Sequence, residues 1–500
     1  MPTTEFRAFR DFREKGRENP MTSTNETAKP VAPAAEDTAR DHRKGLILLV
    51  TCAVFFLDAL DNSTVGVALP SIRDDLSMST ASLQWLVSGY TLAYGGFLLV
   101  GGRAADILGR RRVLIVGLSV FVVASLLGGM MTEPAPLIAS RFIKGVAAAF
   151  TAPAAFSIIT TRFAEGRERN RALSIYGATG GLGWCTGLVA SGLLTDVDWR
   201  LVFFVPGVVA LLVLALVPIA VEPDEPEPAG AARRSYDPGG ALVVTAALLL
   251  FVMAVVRAPE TGWSAPSTLL AFALAPLLVL VFVAIERRHH APMLALDIFG
   301  SRTRSASYLV ALTHAAAALG WQFAVVLYLQ EVLDYGPARI AMAILPLGVT
   351  VFLVARFVTS RLVDAFGIRF VSVLGLALQA VAVGLFAVLG EEDRYLTLIL
   401  PCLLVHGFAC GTVLSAANIG GVSAVADERQ GVAAGLSSAA YAVGAGLGTA
   451  VLAGVIAATT GDADATPLAA FRNAFLGAAA LATVGLLIAL LGLPRRDRAS

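Results

Sequence analysis

From Gly45 onward the chain passes again and again through apolar runs of roughly 18–25 residues, each long enough to span about 30 Å of hydrocarbon at 1.5 Å per helical residue. The runs lie near 46–70, 82–102, 111–131, 136–160, 171–194, 201–221, 239–257, 266–285, 305–329, 340–360, 369–389, 395–420, 431–457 and 470–493. Inside lipid every backbone N–H and C=O must be satisfied within the segment, so runs of this length are expected as helices. The sequence therefore predicts an all-α membrane protein of about fourteen crossings. Its charged share, 15% of 500 residues against 56% hydrophobic, is well below the ~25% of soluble domains.

The loops sort by charge. Arg110 to Arg112, then Arg162, Arg167, Arg169 and Arg171, then Arg233 and Arg234, then Arg287 and Arg288 occupy every second loop. The alternate loops hold Asp74 and Asp75, Glu133, Asp196 and Asp198, Glu260, Glu391 to Asp393, and Asp462. Arginine-rich loops stay in the cytoplasm, and with Arg495, Arg496 and Arg498 at the end both termini are expected there. Residues 1–44 read as a disordered cytoplasmic tail, within which Met21 offers a second start. A formal net charge of +1 gives no basic excess for nucleic acid. Cys52, Cys185, Cys402 and Cys410 lie inside apolar runs without metal spacing, so neither a disulfide nor a metal is expected.

One repeat is visible. Gly102-Arg103-Ala104-Ala105-Asp106-Ile107-Leu108-Gly109-Arg110-Arg111 follows the second run, and Ser360-Arg361-Leu362-Val363-Asp364-Ala365-Phe366-Gly367-Ile368-Arg369 follows the tenth. Arg, Asp, Gly and Arg coincide, which predicts two related halves. The expected domains are an N-terminal six-helix bundle over 45–221, a linker with two extra membrane helices over 222–290, a C-terminal six-helix bundle over 291–494, and a cytoplasmic tail over 495–500.

At these residues the chain resembles the major facilitator superfamily, and within it the fourteen-helix drug/proton antiporter branch. Leu60-Asp61-Asn62-Ser63-Thr64-Val65-Gly66-Val67-Ala68-Leu69-Pro70 is similar to that branch's first-helix signature, with Ser63 and Gly66 as departures. Gly102 to Arg112 is similar to the loop after the second helix, and Arg141-Phe142-Ile143-Lys144-Gly145 to an Arg-containing signature of the fourth, where Lys144 replaces the usual Gln. The antiporter signature of the fifth helix falls on Gly183, Gly187, Leu188, Ser191 and Gly192; Leu188 replaces its Pro and Ser191 one Gly, which counts against antiport more than against the fold. The resemblance implies two bundles that alternate access to a midplane site, proton-driven export of a hydrophobic or amphipathic compound, and a place in the cytoplasmic membrane; the Arg-rich, Lys-poor, Ala- and Gly-heavy composition points to a high-GC bacterium.

Asp58 and Asp61 share one face of the first helix, and Arg141 and Lys144 one face of the fourth. At 1.5 Å per residue Asp61 is roughly 24 Å above the cytoplasmic end of its helix and Arg141 roughly 8 Å below the outer end of its own, so their depths nearly coincide. Charges at such depth cost about 3 kcal/mol or more when isolated, which predicts a cluster. In it Asp61, with Asp58, binds the coupling proton, while Arg141 and Lys144 set its pKa; the bland reading is a static ion-pair network that fixes packing. Lys144, the one lysine outside the tail residues Lys15, Lys29 and Lys44, is read equally as a titratable group, a contact for an anionic substrate, or a stem pairing with Asp58.

By resemblance, Gly102, Asp106, Gly109 and Arg110 form a gating loop whose Asp106–Arg110 relay keeps the cytoplasmic side closed. Trp321, Gln322, His314 and Asn418 are expected to line the substrate cavity, although for His314 and His406 a packing role is favoured over proton carriage. Gly177, Gly180, Gly181, Gly183 and Gly187 lack the strand and the GKS or GKT of a phosphate loop, so no nucleotide cofactor is expected and the proton gradient supplies the energy. No catalytic or metal constellation is present, and the chain is expected to work as a monomer in lipid. Two other classes stay open: an importer or uniporter of a polar or anionic metabolite, and a non-transporting membrane receptor.

Overall fold

A computed structural model describes residues 33–78, 80–223, 237–262, 265–288, 294, 296–390, 392, 394–460 and 467–495. The described residues from Arg43 on form one compact unit, and Pro33–His42 belong to a second. Among the described residues there are fourteen α-helices and no strand. They are α1 (Pro33–Leu76), α2 (Thr80–Leu108), α3 (Arg110–Met130), α4 (Pro134–Arg162), α5 (Arg167–Thr195), α6 (Leu201–Ala220), α7 (Pro238–Thr261), α8 (Pro266–Arg288), α9 (Arg302–Glu331), α10 (Pro337–Val354), α11 (Ser360–Leu385), α12 (Leu400–Gly421), α13 (Gln430–Thr460) and α14 (Pro467–Gly492).

Each apolar run overlies one helix. Among the described residues ten segments are long and apolar enough to cross a membrane, one of them the stretch Arg339–Val388 that runs through α10 and α11. Helix α1 starts at Pro33, inside the stretch read from sequence as a tail. The rest of that tail, the charges Arg233, Arg234, Glu391, Asp393, Asp462, Arg496 and Arg498, and most of the linker before α7 lie outside the described residues.

Helix contacts repeat between the halves. In the N-terminal half α2 packs on α4, α4 on α3 and α3 on α6; in the C-terminal half α10 packs on α12, α12 on α11 and α11 on α14. Across the halves α2 meets α13 and α5 meets α10, while α4 meets α13 and α12 meets α5. Exchanging α1–α6 with α9–α14 maps these contacts onto one another, the pattern of a pseudo-two-fold axis. Helix α7 packs on α8 and lies against both α2 and α13, so the inserted pair sits on one of the two seams.

Lipid supplies no hydrophobic drive between helices, so close approach through small residues carries much of the association. Gly183 and Gly187 of α5 lie against the α1 backbone at Phe56 and Leu60, and Gly444 and Gly448 of α13 repeat this against α9 at Leu312 and Ala316. A Cβ on Gly448 would land on the Ala316 carbonyl oxygen. Gly448→Ala is therefore expected to lower stability by about 1–3 kcal/mol, read as a lower melting temperature of the purified protein; an unchanged midpoint would mean that α13 can withdraw from α9 without loss. On their outward faces α3, α6, α8 and α14 expose large aliphatic residues such as Val116, Leu212, Leu280 and Leu491, the face lipid would cover.

Candidate functional site

Arg141 and Lys144, three residues apart on α4, converge on one carboxylate of α1. Arg141 Nη1 lies 2.5 Å from Asp61 Oδ2, and Lys144 Nζ donates to Asp61 Oδ1; all three side chains are fully buried. The remaining donors are also occupied in part. Arg141 Nε donates to the Leu86 carbonyl of α2 at 3.0 Å, and its guanidinium lies 4.6 Å from the Tyr90 ring centroid. Lys144 Nζ donates to Ser125 Oγ of α3 at 2.9 Å, and Ser125 passes a bond to the Phe203 carbonyl of α6 at 2.7 Å. The Phe121 and Phe203 rings flank the ammonium at 4.7 and 5.4 Å.

Five helices of the N-terminal half thus close around the trio. Desolvating each ion costs several kcal/mol, and mutual attraction offsets that cost only with good geometry and satisfied donors; here the ion pairs are close and only Arg141 Nη2 lacks a hydrogen-bond partner among the described residues. The matched depths read from sequence meet as contact. Lys144, however, pairs with Asp61 and not Asp58, and it faces α3 and α6 inside the bundle. Asp58 is buried one turn away, its Oδ2 without a hydrogen-bond partner, while its backbone carbonyl accepts a 3.4 Å bond from Tyr90. Ser125, Tyr90 and the Leu86 carbonyl escaped the sequence reading, because a serine or tyrosine in an apolar run carries no sign of its partner.

A second constellation closes the end of the molecule at the α2–α3 turn. Gly109 caps α3 at φ 93°, a left-handed conformation that glycine adopts without strain. Asp106, its side chain fully buried, accepts bonds from the backbone N–H groups of Gly431 at 2.8 Å and Val432 at 2.9 Å, in the first turn of α13. A carboxylate at a helix N-terminus satisfies donors that have no partner within the helix. Arg110 lies 3.7 Å from Asp106, donates to Ser157 Oγ at 2.7 Å and also donates to the Asp427 carbonyl. Gly102 lets α2 approach Gly431 and Gly435 of α13. All four expected gating residues are therefore brought together, but the principal partner of Asp106 is the backbone of α13 and Arg110 is the more distant neighbour.

The repeat residue Asp364 lies beside Gly367, itself at φ 82°, and accepts from Asn170 Nδ2 at 3.1 Å and Arg167 Nε at 3.4 Å, both on α5. Two carboxylates, one from each half, thus tie the halves at the same end.

The four residues expected at a substrate cavity separate. Trp321 is fully buried in the C-terminal bundle, its ring 5.0 Å from Phe386 and 4.4 Å from His406. His314 Nδ1 bonds Gln379 Oε1 at 2.8 Å inside the same bundle, the packing role favoured from sequence. Both are thus enclosed by residues of the C-terminal half, the imidazole hydrogen-bonded and the indole packed on rings with its Nε1 unpartnered among the described residues. Gln322 is half-buried with Nε2 unpartnered, and half-buried Asn418 faces Gly177 of α5 across the halves. Among the described residues no group of three His, Cys, Asp or Glu is placed to hold a metal. In α5, Ser191 donates to the Thr64 carbonyl of α1, while the Leu188 side chain lies outside the described residues.

The Major Facilitator Superfamily profile matches residues 51–389 and 309–500. The chain is 37% identical over 450 residues to a puromycin resistance protein of Streptomyces alboniger, covering 89% of this chain and 88% of that one. It is 34% identical over 464 residues to a cephamycin export protein of Amycolatopsis lactamdurans, covering 92% and 93%. A lincomycin resistance protein of Streptomyces lincolnensis matches at 32% over 461 residues, 92% of each chain. Among solved structures, a proton:xylose symporter superposes with TM-score 0.64 at 14% identity, over 92% of this chain and 97% of that one. The human organic anion transporter MFSD10 superposes with TM-score 0.63 at 15% identity, over 89% and 99%. At such identities these two speak for the fold alone.

Proposed function

This chain belongs to the Major Facilitator Superfamily, and we propose that it is a proton-coupled exporter of hydrophobic or amphipathic small molecules, working by alternating access across fourteen membrane helices with both termini in the cytoplasm. It is a multi-pass membrane transporter and not an enzyme, and its relatives in Streptomyces and Amycolatopsis are antibiotic resistance and export proteins. The observation that carries the coupling is the fully buried Asp61 held by both Arg141 and Lys144.

Protonating Asp61 would remove its attraction to two cations at once, so proton binding and the α1–α4 contact are thermodynamically linked. A proton entering from one side would release α1 from α4, and rocking of the bundles would expose the site to the other. The Asp106 and Asp364 contacts would hold the cytoplasmic side shut in the outward-open half of the cycle and yield in the other half. Substrate would bind between the halves, near Asn418 and Gln322. The importer reading leaned on the altered fifth-helix signature at Leu188 and Ser191 and on Lys144 as a contact for an anionic substrate; full burial of Lys144 against Asp61, Ser125 and two aromatic rings works against the second ground.

Expression in a pump-deficient bacterium is expected to raise tolerance several-fold to at least one compound in a panel of puromycin, lincomycin, a cephamycin and lipophilic cationic dyes. Unchanged tolerance to the whole panel, with the protein present in the membrane, would overturn the export reading.

A further inference from the structure

At the end of the molecule where Asp364 meets α5, the halves leave an open cavity of about 750 Å³. Four arginines line it, Arg167 of α5, Arg361 and Arg369 of α11, and Arg495 beyond α14, against the single carboxylate of Asp364. Arg167 is engaged by Asp364 at 3.4 Å. Arg361, Arg369 and Arg495 have no ion pair or hydrogen-bond partner among the described residues. The same cavity has an apolar wall that includes Phe366, Ile368 and Leu493.

Arginines that only mark topology can point anywhere into water. Here four converge on one concavity that spans both halves. Guanidinium forks match the geometry of phosphate oxygens, and a cationic rim beside an apolar wall at the membrane surface suits a molecule with a phosphate head and an acyl tail. We propose that this cavity binds a phosphate-bearing anion, with the headgroup of an anionic phospholipid as the favoured source and a free phosphate compound as the other. The site is independent of which substrate the chain carries and in which direction.

Occupancy has a consequence for the seam. A phosphate among these arginines competes with Asp364 for Arg167, so it loosens the α5–α11 contact while leaving the Asp106–α13 contact untouched. An anionic lipid would thereby bias the closure of this end of the molecule from one side only.

The test is native mass spectrometry of the full-length purified chain titrated with phosphatidylglycerol, with inorganic phosphate as competitor. The wild type is expected to retain phosphatidylglycerol, and the Arg361→Gln/Arg369→Gln double variant to need at least about tenfold more lipid for the same occupancy. The Arg287→Gln/Arg288→Gln double variant, which removes two exposed arginines from the end of α8, is expected to bind as the wild type does. Asp364→Asn removes the competing carboxylate and is expected to tighten binding several-fold. Displacement of lipid by inorganic phosphate would assign the site to free phosphate compounds; failure to displace assigns it to lipid. Equal retention by wild type and Arg361→Gln/Arg369→Gln, equal loss in both double variants, or weaker binding by Asp364→Asn would overturn the proposal.

Discussion

Asp61→Asn is expected to abolish proton-driven transport and to cost about 3–5 kcal/mol of stability, seen as a lower melting midpoint of protein that still reaches the membrane. The asparagine keeps an acceptor oxygen of similar shape but leaves Arg141 and Lys144 buried with no counter-charge, and that uncompensated charge is the larger part of the loss. A second substitution separates coupling from packing. In Asp61→Asn/Lys144→Met one buried cation is gone, and the thioether fits between the Phe121 and Phe203 rings that flank the ammonium. Much of the stability should return while transport stays absent. Were the trio a static ion-pair network, the double variant would regain transport together with stability.

Asp106→Ala is expected to open the α2–α13 seam. The substitution leaves the Gly431 and Val432 N–H groups at the start of α13 without their acceptor, a loss of about 2–4 kcal/mol, which moves a closed–open equilibrium by between about thirtyfold and nearly a thousandfold. Asn, which keeps one acceptor oxygen, should cost less. Distances between spin labels on the α2–α3 turn and the turn before α13 would report the populations.

The same seam should respond to pH. Asp106 lies past the second apolar run, and burial pushes its carboxyl up to about 6 from its ordinary value of 3.8, against the opposing pull of the Gly431 and Val432 N–H groups, Arg110 and Arg103. A group that holds its proton more tightly in the closed seam than in water stabilises closure as the proton binds. Its contribution is therefore full below about pH 4 and is lost as pH rises through about 6. Acidification across that window should favour the closed seam in the wild type. It should do nothing through this group in Asp106→Ala.

The helices and the charged trio were within reach of the sequence for one reason: lipid tolerates few alternatives. A run of apolar residues has to be helical, and charges at matched depths have to meet, so Asp61 and Arg141 could be paired from their positions alone. The choice of Asp61 over Asp58 as partner of Lys144 could not, because both lie on the same face of α1 and only the packing of α3 and α6 decides which the ammonium reaches. The partner of Asp106 was further out of sight. It is a pair of backbone N–H groups more than three hundred residues away, and backbone donors leave no mark in composition. Trp321 shows the converse, since an indole in an apolar run suggests ligand contact as readily as packing, and only the fold reveals Phe386 and His406 against its ring. The seat of the inserted pair had a signal that went unread: adjacent Gly95 and Gly96 on α2 make room for Val252 and Leu249 of α7.

Coupling through Asp61 is best tested in inside-out membrane vesicles that hold an acid interior reported by a quenched dye. Addition of a compound to which the protein confers tolerance should restore the dye's fluorescence with the wild type, as protons leave in exchange for the compound, and should do nothing with Asp61→Asn. Transport of the compound without proton movement in the wild type, or equal proton movement in Asp61→Asn, would contradict the assignment of Asp61 as the proton-binding residue.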